Sequence, residues 1–107
     1  MKIYLLKQGE TGQFCEVENE LEAMQKLVGG FIEVIRLQSD LLLICNEEAD
    51  LKKLKPNRFI THGVIKGDFF ICGVDGEDFA DLPSKYNDVL SGIFGAPNFD
   101  KKGRPII

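Results

Sequence analysis

The chain has 107 residues, enough for one compact domain that buries roughly two-thirds of the surface its unfolded form exposes, and too few for two independent cores. A composition of 44% hydrophobic, 28% charged and 9% aromatic residues excludes collagen-like, fully disordered and membrane-spanning chains. Thirteen basic against 17 acidic residues leave a net charge of −4, too mild for a nucleic-acid binder or a strongly acidic DNA mimic.

The first residues, with Lys2, Lys7, Gln8 and Glu10 close together, lack the apolar core of a signal peptide, which points to a cytoplasmic protein. The longest apolar run, residues 41–45, falls far short of the ~18 residues that cross a bilayer. Cys15, Cys45 and Cys72 are odd in number, widely spaced and flanked by apolar residues, as expected of buried, reduced, unbridged thiols.

Residues 2–7 and 13–18 read as strands joined by a turn that contains Gly9 and Gly12. Asn19, with Glu22 three positions on, is a capping-box signal. Leu21, Met24, Leu27 and Val28 then share a helical face, and Gly29-Gly30 stops the helix. Residues 31–37 are β-branched and apolar, and residues 41–45 are too short for a helix and too apolar for an exposed edge, which predicts a second hairpin central in the sheet.

Asn46 can cap one turn through Glu47, Glu48 and Ala49, and Pro56 ends any helical continuation of Leu51 and Leu54. Residues 58–60 read as a short extended piece, and residues 68–74 as the last strand, closed by Asp75-Gly76. The acidic residues Glu77, Asp78 and Asp81 lack the spacing of a calcium loop and read as an exposed turn leading into a helix. From Ser84, the residues Tyr86, Val89, Leu90, Ile93 and Phe94 form an apolar stripe that ends at Gly95. The expectation is one α+β domain over residues 1–97, a mixed or mainly antiparallel sheet of about five strands with two helices packed on it, and a frayed tail over 98–107.

The chemistry-bearing motifs are sparse. His62 stands alone, which excludes multi-histidine metal sites, and it reads as a turn or surface residue. Phosphate-loop, dinucleotide-binding and serine-hydrolase signatures do not occur, so no cofactor and no metal is implied. The basic run Lys52, Lys53, Lys55, Arg58 and Lys66 follows Glu47, Glu48 and Asp50, has no aromatic platform for bases, and reads as a self-paired or solvated surface.

Glu33 is the exception, because it shares a strand face with Phe31 and Ile35, where an unpaired carboxylate is costly. Arg58, behind Pro56 and Asn57, has the fixed charge and fork geometry to partner it. Glu33, Asn46, Glu47, Glu48, Asn57 and Arg58 are therefore the candidate binding residues, either as an ion pair that closes a loop or as a site for a small anionic ligand or a protein.

The blocks carrying these residues, Leu27 to Val34, Asn46-Glu47-Glu48, Leu54 to Arg58, Ile71-Cys72-Gly73 and Gly76 to Leu82, resemble a family of small proteins of phages, plasmids and other mobile elements that is labelled only as a domain of unknown function. The resemblance spans residues 20–82, and Lys55 stands where an uncharged residue is expected before the Pro-Asn-Arg step. It implies genomic context rather than chemistry and assigns no catalytic residue. Two classes of function follow. One is a non-catalytic accessory protein that binds a host protein or a small anionic ligand. The other is a small enzyme acting on a nucleotide-like substrate, with Glu33 or Glu48 as base and Arg58 as anion clamp.

Overall fold

The computed structural model describes residues 1–61 and 63–106, so the sequence reading of His62 falls outside the described residues. The fold is α+β. Strands β1 (Lys2–Leu6), β2 (Gln13–Glu16), β3 (Ile32–Gln38), β4 (Leu41–Asn46) and β7 (Phe69–Asp75) form an antiparallel sheet in the order β2-β1-β7-β4-β3, and β8 (Asp78–Ala80) folds back on the far end of β7. A separate hairpin joins β5 (Pro56–Ile60) to β6 (Gly63–Lys66). No helix is long and apolar enough to cross a membrane.

Alternation divides the sheet residues between two cores. On one face Ile3, Leu5, Leu42, Ile44, Phe70 and Cys72 meet Met24 and Val28 of helix α1 (Leu21–Val28). On the other, Tyr4, Leu6, Leu43, Cys45, Phe69 and Ile71 meet Ile65 of β6 together with Leu90 and Phe94 of helix α2 (Asn87–Phe94). Strand β4 is buried along its whole length because it has a strand on each side and a layer on each face.

Several boundaries differ from the sequence reading for local reasons. Glu20 rather than Asn19 precedes α1, since the Asn19 amide donates to the Phe79 carbonyl; Gly29 then ends the helix in the left-handed region at φ 82°. The glycine stop is as expected. Asp75-Gly76 is a turn as expected, but it leads into strand β8 rather than into a helix. The stripe from Ser84 begins as one 3-10 turn, Ser84–Tyr86, before α2 proper, and only its Leu90 and Phe94 are buried.

Residues 98–106, expected to fray, fold back on the domain. Phe99 is buried and bridges to Pro105, and Asn98 accepts from the Phe59 N–H. A turn organised by Asp100, which accepts from the N–H groups of Lys102 and Arg104, replaces the missing periodicity.

Candidate functional site

Arg58 is fully buried, yet among the described residues no carboxylate meets it. Its five donors are all engaged. Nε bonds the Phe94 carbonyl at 2.9 Å, Nη1 the Asn57 carbonyl and side-chain oxygen, and Nη2 the carbonyls of Glu10 and Gly95. Phe94 and Gly95 end α2, so the negative end of that helix balances the guanidinium where a carboxylate was expected. Burial lowers the pKa of Arg58, with Tyr4 opposing, and burial raises that of Tyr4, with Arg58 opposing. Asn57 completes the cage, donating to the carbonyls of Leu6 and Gly67.

The expected pairing of Arg58 with Glu33 or with the turn after Asn46 is therefore corrected. Glu33 is exposed because β3 is an edge strand, so its carboxylate stays in water and needs no partner. Its backbone partner in the register is Cys45, whose thiol is pushed up to about 11 by burial and by the charge of Glu33. Of the six candidate residues, Asn57 and Arg58 lie in the interior, Glu33, Asn46 and Glu47 line a cleft of about 310 Å³ beside the β5–β6 hairpin, and Glu48 stands outside that lining, joined to it through its backbone N–H on Asn46. Asn46 is structural there, donating to the Val28 carbonyl and accepting from the Glu48 N–H. An Arg58 anion clamp beside Glu33 or Glu48 is absent from this arrangement.

The basic run is also dispersed. Lys66 pairs with Asp50 at 2.6 Å, Lys52 donates to the Gly29 carbonyl at the end of α1, and Lys55 donates to the Lys101 carbonyl. Lys53 and Lys55 nevertheless join Lys26 of α1 around a cleft of about 450 Å³. Lys26 comes to this cleft from a distant part of the chain, which no local spacing could reveal.

A groove of about 460 Å³ between α2, β5 and β3 has mostly apolar walls. Ile35 and Leu37 of β3, Phe59 and Ile60 of β5, and Val89 and Ile93 of α2 line it. Val89, Ile93 and Phe59 are each more than half exposed. Its rim carries Tyr86, whose hydroxyl donates to Asp40, which also pairs with Lys85 at 2.8 Å. These two bonds hold the Asp40 carboxyl below the usual range. The apolar stripe expected from Ser84 onward marks one wall of this groove, since α2 is too peripheral to bury both sides and leaves Val89 and Ile93 exposed.

No curated protein and no solved structure matches this chain. A family model, Domain of unknown function (DUF3846), matches residues 1–91, most of the chain and both cores of the sheet, so the protein belongs to the DUF3846 family.

Proposed function

We propose that this protein is a non-catalytic accessory protein of a mobile element, and that it binds a segment of a host protein in the groove between α2, β5 and β3. The carrying observation is the exposure of Val89, Ile93 and Phe59 around one apolar concavity, while among the described residues every buried side-chain polar atom already has a hydrogen-bond partner. Apolar side chains left in water at one place lower the free energy when a partner covers them. The resemblance to proteins of phages and plasmids supports a host protein as that partner.

A photo-crosslinking amino acid at Ile93, introduced in bacterial cells, tests this reading. One discrete adduct is expected from Ile93, absent when the crosslinker sits at Glu20 beside α1 and lost when Val89→Asp is added. Equal adducts from both positions, or none from Ile93, would overturn it.

A second reading, capture of a small anionic ligand, rests on the cleft around Lys26, Lys53 and Lys55. Cations gathered in a concave surface attract anions in a salt-dependent way. Tripolyphosphate binding measured by calorimetry, abolished by Lys26→Glu with Lys53→Glu, is the expected result; no heat at low salt removes this reading.

A further inference from the structure

From the two faces of strand β3 we infer that the partner segment is an extended strand, added antiparallel to the free edge of β3, with an acidic residue, two apolar residues and a basic residue in that order along its chain. This inference rests on the groove reading and adds how the groove is filled. Among the described residues no strand pairs with the outer side of β3, so a row of backbone donors and acceptors faces outward. On one side of the sheet the α2 groove reaches β3 at Ile35 and Leu37. On the other a second depression, of mixed character, is lined by Val34, Leu42, Val74 and Phe79 together with Arg36 and Glu77. A strand laid along the edge thus meets the apolar α2 groove on one face and a mixed polar and apolar surface on the other, as suits an amphipathic strand, whereas a helix would leave the edge groups unpaired.

Glu33 and Arg36 choose the occupant. Both are exposed and three residues apart, so they stand on opposite faces of β3. A second copy added antiparallel about a two-fold axis opposes only residues of one face, so Glu33 never meets the partner's Arg36. Each such register sets Glu33 against an apolar residue such as Ile35 or Leu37, or against its own copy. A foreign strand has no such restriction. Opposite Arg36 it places a carboxylate, opposite Ile35 and Val34 apolar side chains, and opposite Glu33 a lysine or arginine. Antiparallel addition continues the pairing direction of every strand in the sheet.

The probe is a fluorescent ten-residue peptide, threonine-rich with a central Glu-Val-Val-Lys, measured by anisotropy against the full chain at low salt. Binding is expected to weaken at least ten-fold for the reversed order Lys-Val-Val-Glu and for a peptide with N-methylated central amides. The protein carrying Glu33→Lys with Arg36→Glu is expected to invert the preference between the two orders; both positions are exposed, so folding is not at stake. Equal affinity for the two orders, indifference to N-methylation, no binding of either peptide, or a wild-type dimer that Val34→Lys dissociates would each overturn the inference. The Ile93 crosslink separates the two claims. An adduct there with a failed peptide preference leaves the groove as a docking site and removes only the strand.

Discussion

Arg58 Nε donates to the Phe94 carbonyl at 2.9 Å, which sets a fully buried cation against the end of a helix rather than against an acid. The bond ties the β5–β6 hairpin to α2, and the same guanidinium reaches the loop after β1 through Glu10. Removing it orphans several buried carbonyls at once. Arg58→Ala is expected to cost about 3–5 kcal/mol, and Arg58→Lys to recover little of it, since an ammonium has three donors and no planar fork. Urea denaturation measures this; a loss below about 1 kcal/mol would show the cage to be weakly coupled to folding.

Burial pushes the Cys72 thiol up to about 12 and, with the charge of Glu33 adding, the Cys45 thiol up to about 11, from an ordinary 9.0. Folding thus favours the protonated form. The stabilisation is complete below pH 9 and is lost as the pH rises from there through 11 to 12, because only the unfolded chain then releases these protons. Melting temperature should fall over that window, with a shallower fall for Cys72→Ala. At pH 8 both thiols should resist alkylation until urea is added.

Two glycines forecast opposite signs. A Cβ at Gly73 would strike the Asp81 carbonyl, which is backbone and cannot step aside, so Gly73→Ala should destabilise by about 1–3 kcal/mol. A Cβ at Gly92, within α2, meets nothing within 4 Å, and Gly92→Ala should stabilise by about 0.5–1 kcal/mol. Thermal denaturation of the two variants checks the pair.

Phe99 sits near Phe59 with ring centroids 4.9 Å apart and is only 6% exposed. Phe99→Ala should cost about 3 kcal/mol, the usual penalty for emptying an aromatic site. Hydrogen exchange would show whether the loss begins at β5, whose Phe59 N–H bonds Asn98.

Strand periodicity made β1, β4 and β7 legible, because these strands bury near-continuous apolar runs, and Gly29 marked the end of α1. The β5–β6 hairpin was only glimpsed as an extended piece over residues 58–60. Its inward residues include Asn57 and Arg58, and a polar pair at core positions carries no hydrophobic period. Glu33 misled for a related reason: alternation assigns a side chain to a face, not a strand to the middle of a sheet, and β3 lies at the edge. The groove was legible only as the apolar stripe of α2, one of its walls, because the others come from β3 and β5 and only the tertiary fold assembles them.

The place of β7 between β1 and β4 also governs the order of assembly. The β3–β4, β5–β6 and β7–β8 hairpins close between neighbours in the chain and can form early. Tyr4 must wait for Ile71, and the Arg58 cage for Phe94, 36 positions further along. On a ribosome the first strand therefore stays unpaired on one side until most of the chain has emerged, and the domain locks only when the end of α2 arrives, a late and cooperative closure set by loop length.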